Sequence, residues 1–175
     1  MLSPAGPSCP RYLPDLEFPA YRHLPGQTPH PRTHPQGHRF ALPGPDLPLT
    51  PENWPTHRAY LAGVDLFNGA FWWEAHEAWE GPWRVSPSDS RHQLQGLIQL
   101  AAALIKWHQG NQRGMEKLAH SSRALLEPLA AVHAHHLGLN LPDLLERSDA
   151  FFAAPPAPEN TTPDLLPLLR LDFGS

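Results

Sequence analysis

Cysteine is almost absent from this chain of 175 residues: there is one, Cys9, so no disulfide can close within the chain, which suits a reducing compartment. Clustered positive charge is missing as well. Thirteen Lys and Arg stand against seventeen Asp and Glu, a net charge of −4, and no run of five basic residues occurs. A nucleic-acid partner needs a basic surface to displace phosphate counterions, so none is expected. Long apolar runs are lacking too. The longest, Leu100–Ile105, falls far short of the roughly 20 residues that span a bilayer. Met1–Pro10 has neither a charged n-region nor an apolar h-region, so no signal peptide is expected. Together these absences predict a soluble, cytoplasmic protein without a membrane or nucleic-acid partner.

Proline is what the chain has in excess. Of 23 prolines, 14 fall in residues 1–55, three in residues 56–141 and six in residues 142–175. Proline removes a backbone donor and breaks helices and inner strands, so regular structure is expected mainly in the middle. We therefore divide the chain into a Pro-rich, largely irregular leader (1–48), a helical core (49–141) and a Pro-containing C-terminal segment (142–175). The last carries six acidic and two basic side chains, which accounts for the whole net charge. His30-Pro31, His34-Pro35 and His38 invite a metal-tract reading of the leader, but such segments favour solvated polyproline II over a fixed site. Little regular hydrogen bonding is expected there, so the core should keep its helicity without it.

Apolar spacing in the core predicts helices throughout, and no stretch alternates with period two. A first helix is expected from about Thr56 to Phe67, burying Tyr60, Leu61, Val64 and Phe67, with Asn68-Gly69 closing it in left-handed conformations. A second is expected over about Ala70–Glu80, stopping before Gly81-Pro82. A third starts at Ser86-Pro87 with Asp89 completing a capping-box-like start, and runs to Gln109. Its stripe of Leu94, Leu97, Ile98, Ala101, Leu104 and Ile105, backed by Gly96, Ala102 and Ala103, marks a central helix. Asn111 should cap a fourth, with Met115, Leu118, Leu125, Leu129 and Val132 inward, kinked or divided at Pro128. An amphipathic piece over Leu141–Phe152 docks afterwards. The fold class is all-α, a compact four- to five-helix bundle-like domain flanked by Pro-rich tails.

Chemistry-bearing residues gather in the second helix. On a wheel at about 100° per residue, Phe71, Trp72, Ala75, Ala78, Trp79, Pro82 and Trp83 fill an apolar arc, with His76 at its edge and Glu80 beside it one turn on. Glu77 and Glu74 follow on the polar side. Trp73 falls inside that polar arc and calls for a cover from another helix, a tail or a second subunit. Such a cover would desolvate Glu77 and Glu80, which would then need a metal ion, Arg84, or the Gln95 and Gln99 amides.

These residues resemble the bacterial and archaeal domain-of-unknown-function family 309. The resemblance lies in His76-x-x-x-Glu80-x-x-Trp83, with Phe67-Asn68, Phe71, Glu74-Ala75-His76-Glu77, Arg84, Gln95-Gly96-Leu97-Ile98-Gln99, Ala101-Ala102, Gly110-Asn111, Gly114 and Leu118 around it. It covers roughly residues 60–125. It implies a compact helical fold and a metal-binding role for the His and Glu of the motif, and no substrate. Gly81-Pro82 departs from the unbroken helix expected there, which affects where Trp83 and Arg84 fall.

His and Glu at i and i+4 can share one ion, such as zinc, manganese or nickel, with Glu77 as a candidate catalytic base. Further ligands would come from Gln99, His92 or His108. A metal-dependent, hydrolase-like activity has no support beyond this motif. Glu-x-x-His occurs nowhere, which excludes a di-iron carboxylate bundle, and no phosphate-binding loop, nucleophile elbow or dinucleotide fingerprint is present. The alternative is a structural hydrogen-bond network of His76, Glu80, Gln99 and Arg84 without catalysis, in a helical homodimer joined through Trp73. His133-x-His135-His136 reads as cationic residues at a helix C-terminus, and Gly110-Asn111-x-x-Gly114 as a helix junction whose amides could hold an anion.

Overall fold

Helix begins where proline density drops. The computed structural model describes residues 11–42, 44–160 and 165–173, and Cys9 lies outside them. Among these residues the chain forms α1 (Arg58–Asn68), α2 (Trp72–Val85), α3 (Ser88–His108), α4 (Gln112–Val132) and α5 (Leu141–Ala153). A two-strand antiparallel hairpin, β1 (His135–His136) and β2 (Leu139–Asn140), joins α4 to α5. Short 3-10 turns lie at Trp54–Thr56 and Pro158–Asn160. The fold is all-α and bundle-like, as the periodicity predicts. Helix α3 lies between α2 and α4, α1 packs on α2, and α5 on α4. All six residues of the predicted α3 stripe are buried, and Gly96 and Ala103 on its other side are buried too. At Gly63 in α1 a side chain would run into the Trp79 indole, which itself donates to the Tyr60 carbonyl at 3.2 Å.

Several boundaries differ from expectation for identifiable reasons. Helix α2 does not stop before Gly81-Pro82 but runs on to Val85, with both residues inside it and buried. Proline's fixed φ is helical, so only the bond to Ala78's carbonyl is forgone. The carbonyl of Pro82 gains two donors in turn, Ser86 N at 2.9 Å and Ser86 Oγ at 2.6 Å. That commits the Ser86 hydroxyl, which also accepts from Leu49 N at 2.8 Å, so no capping box forms at α3. The left-handed residue between α1 and α2 is Ala70 (φ 62°), not Asn68 or Gly69. Pro128 lies inside a single α4, and Asn111 caps that helix by accepting from Gly114 N at 2.9 Å. Val132 is exposed, and Leu126 fills the inward position instead.

Both tails are strapped to the helices by buried polar side chains. Asp65, in the middle of α1, is 1% exposed and accepts from Tyr12 N (2.8 Å), Leu13 N (2.8 Å) and Arg11 Nε (3.1 Å). Glu74 of α2 accepts from His23 N at 2.8 Å and His38 Nε2 at 2.9 Å. Asn68 grips the C-terminal segment twice, donating to Leu169 O at 2.7 Å and accepting from Leu169 N at 2.8 Å. The segments also meet each other, because Leu171 N donates to the Tyr12 hydroxyl at 2.7 Å. Leu16, Leu49, Leu166 and Leu169 are buried by this arrangement. Over its described residues, 11–42 and 44–48, the leader is irregular yet packed, and the expectation that the core is indifferent to its removal does not fit these contacts.

Hydrogen bonds to a charged acceptor contribute more than neutral ones, and their loss leaves the donors unmatched. Asp65→Ala is therefore expected to lower the unfolding free energy by about 2–3 kcal/mol in urea titration. Removing residues 1–48 should cost more than that single substitution. A truncated protein that unfolds at the full-length urea midpoint would contradict the strapping.

Candidate functional site

The rim of α2 brings together three of the expected residues. His76, Glu77 and Glu80, all half-buried, offer donor atoms that lie within 4.8 Å of one another. Because α2 continues unbroken through Pro82, Trp83 and Arg84 belong to the same helix. Arg84 Nη2 donates to Glu80 Oε2 at 3.1 Å, while Arg32 of the leader forms an ion pair with Glu77. His76 Nδ1 lies 3.9 Å from Glu77 Oε1, and Nε2 lies 4.0 Å from Glu80 Oε1. These are ion-pair separations, not hydrogen bonds. His76 Nδ1 is buried and has no hydrogen-bond partner. Donors around one small ion sit roughly 3–3.5 Å apart, given metal–ligand distances near 2.1 Å. The two contacts also involve opposite ring nitrogens, so a shared ion requires small side-chain rotations.

Other expected members lie apart from this group. Gln99 and Gln95 are half-buried and make no hydrogen bond to His76 or Glu80 among the described residues. His92 is exposed. His108 packs against the rings of Trp72 and Trp107. Trp83 carries the Arg91 guanidinium 5.2 Å over its ring. Asn111 serves as the cap of α4.

The leader covers the side of α2 that the wheel leaves polar. The rings of His23 and His30 stand edge-on to Trp73 at 4.9 and 5.7 Å, and the His76 ring stacks on it at 6.0 Å. Trp73 thus obtains its cover from within the chain, and a second subunit is not needed for that purpose. The same cover puts Glu74 at 3% exposure, on an arc read as polar. Burial pushes its pKa up, against the lowering effect of the hydrogen bonds from His38 and His23. Phe40 N donates to His38 Nδ1 at 3.0 Å, so the ring presents its Nε2 proton to Glu74. Of the leader's histidines, His38 anchors to Glu74, and His23 and His30 pack on Trp73.

Sequence reasoning passed over Gln93, a fully buried amide of α3. Its Nε2 donates to the Tyr60 hydroxyl at 3.3 Å and its Oε1 lies 2.6 Å from His136 Nδ1. Three polar residues from a helix, a helix and a hairpin meet there, and no local spacing announces it.

Residues 60–118 match the model of a family described as a domain of unknown function (DUF309). The match runs from α1 through the start of α4, so it contains His76, Glu77, Glu80 and Trp83 and omits both tails, the hairpin and α5. The resemblance read from the motif is therefore supported over that stretch. No curated protein and no solved structure matches the chain.

Burial holds the pKa values of His23, His108 and His136 below the ordinary 6.5, with neighbouring His30, Arg22 and His133 respectively adding to the effect. A depressed imidazole binds fewer protons folded than unfolded, so its contribution is present above the unfolded value and is lost as pH falls below it. These three rings are expected to lower the urea unfolding free energy as pH falls from about 7 to 5, while the raised pKa of Glu74 acts in the opposite sense. His108→Gln should make that slope shallower. An unchanged slope in His108→Gln would contradict the burial of that ring.

Proposed function

We propose that His76, Glu77 and Glu80 form a divalent-cation site on the rim of α2, with zinc, manganese or nickel as the ions the donor set suits. The observation that carries this reading is the convergence of one imidazole and two carboxylates within 4.8 Å on little more than one helical turn, beside a ring nitrogen without a partner. One nitrogen and two oxygens are a borderline donor set, matched to borderline and hard divalent ions. Glu77 acts here as a third ligand rather than as a free base, since its carboxylate already faces the leader's Arg32. A bound ion would supply Lewis-acid polarisation. The chain's own contribution is to hold the three donors on one rigid turn, with the leader and Trp73 shielding one side.

The competing reading is a purely structural cluster, and the ion pairs Arg32–Glu77 and Arg84–Glu80 favour it. In that case the two guanidinium groups occupy the place of the metal charge and fasten the leader to α2. Exposed pairs of this kind contribute little stability each, so their role would be geometric.

A ligand that binds only the native state stabilises it by mass action, about 2.7 kcal/mol at a hundred times Kd. Zn²⁺, Mn²⁺ or Ni²⁺ is expected to raise the Tm of the wild type, and His76→Ala and Glu80→Ala should each abolish the rise. Arg32→Ala should enlarge it, because the ion no longer displaces a guanidinium from Glu77. Melting curves unchanged by every ion would leave the structural cluster.

A further inference from the structure

On the hairpin side of the molecule, a cleft of about 810 Å³ is lined by Trp54, Asp89, His136, Leu137, Asp172 and Phe173 among others. That volume falls in the range typical of small-molecule sites. We propose that this cleft binds a neutral aromatic molecule carrying an N–H or O–H group. That group donates to His136 Nε2, while the Trp54 and Phe173 rings pack against the body of the ligand.

The acceptor is set by a chain of hydrogen bonds that begins at the hairpin turn. Leu137 and Gly138 occupy that turn with φ of 47° and 77°, the left-handed pair that a two-residue turn demands. The Leu137 carbonyl can only accept, so the Tyr60 hydroxyl donates to it at 2.8 Å. With its one proton committed, the Tyr60 oxygen accepts from the Gln93 NH₂ group at 3.3 Å. Gln93 Oε1 is thereby turned toward His136 Nδ1, 2.6 Å away, and Nδ1 must carry the proton that it donates. Nε2 is left as the acceptor of the ring.

His136 is only 8% exposed, and its ring lines the cleft. Nε2 has no protein hydrogen bond among the described residues. An acceptor buried to this degree gains from a donor and is left unmatched against a purely hydrocarbon surface. Burial also holds this imidazole below its ordinary pKa, so the ring is neutral and able to accept near neutral pH.

The charged groups of the lining are already matched within the protein. Asp89 stands in the first turn of α3, where the helix amides favour a carboxylate, and His133 faces it at 3.6 Å. Asp172 likewise has a partner within the chain. Neither carboxylate is held in reserve for a cation, and no Lys or Arg lines the cleft to receive an anion. A ligand of either charge would give up its hydration without a dedicated counter-charge, and a neutral one would not.

Carbon is supplied by Pro51, Pro87, Leu137 and the two rings. The Trp54 and Phe173 rings lie 4.9 Å apart at 43°, and a side chain at Gly138 would overlap the Trp54 indole. Rings fixed in this way offer face and edge contacts to a third ring. A metal ion is a poor occupant by comparison. Among the described residues, the His and Asp side chains of the cleft do not converge as His76, Glu77 and Glu80 do.

The test uses the full-length protein and indole probes. Proton–nitrogen correlation spectra of the histidines, recorded near neutral pH, should show His136 protonated on Nδ1. Titration with indole should give saturable shifts of the His136 ring. 1-Methylindole has the same ring without the donor and should bind roughly fivefold to tenfold more weakly. His136→Phe should bring the affinity for indole down to that for 1-methylindole. Neutral tryptophol should bind more tightly than cationic tryptamine or anionic indole-3-acetate. The proposal is overturned by an Nε2-protonated His136, by no saturable shift with indole, or by 1-methylindole binding as tightly as indole. It is overturned equally by tryptamine or indole-3-acetate binding more tightly than tryptophol. The spectra and the probe comparisons are made on the wild type, so they decide the matter even if His136→Phe fails to fold.

Discussion

The structure depends on two carboxylates that are buried and must be matched. Asp65 and Glu74 sit on helices whose own backbone bonds are already made, so they can only be satisfied from outside the bundle. The leader supplies what they need, three backbone N–H groups at Tyr12, Leu13 and His23 together with Arg11 and His38 side chains. A segment too rich in proline to form helix or sheet nevertheless acquires a fixed path, because its remaining amides have specific acceptors. Once it lies there, Trp73 and Glu74 are covered and the faces of α1 and α2 no longer resemble those of a bare bundle.

This reframes the motif on α2. In an isolated helix, His76, Glu77 and Glu80 would be a solvated edge, and a weak ion site at most. In the folded chain they sit between Arg32 of the leader and Arg84 of their own helix. Each carboxylate has a resident cation, and any incoming ion competes with it. Under the proposed cation site, ion binding and leader docking would compete at Glu77, because Arg32 already pairs with that carboxylate.

The hairpin side has a different logic. There the polar groups form a directed chain, Leu137 carbonyl, Tyr60, Gln93 and His136, in which each donor fixes the next acceptor. Such chains in a low-dielectric interior hold side chains in one orientation. Tyr60 and Gln93 lie within the residues that match the domain-of-unknown-function model, whereas His136 lies beyond it. The hairpin thus adds a donor, His136 Nδ1, to a core pair that belongs to the matched stretch.

The amino-acid sequence determined the class of fold and the core helix, because apolar residues at helical spacing must be buried on one face whatever surrounds them. Leu94 through Ile105 could be placed inside without coordinates, and His76, Glu77 and Glu80 could be placed together, because one turn of helix fixes their neighbourhood. Asn111 was legible as a cap for the same local reason. Tertiary structure alone decided what depends on distant partners. Pro82 stays helical because Ser86 and the packing around it outweigh one lost bond, and Glu74 is buried because residues near 23 and 38 return to it. Gln93, not Gln99, became the structural amide, because its partners come from residues 60 and 136. No periodicity encodes a hydrogen bond between residues separated by dozens of positions; only the closure of the chain on itself brings them within 3 Å or so of one another.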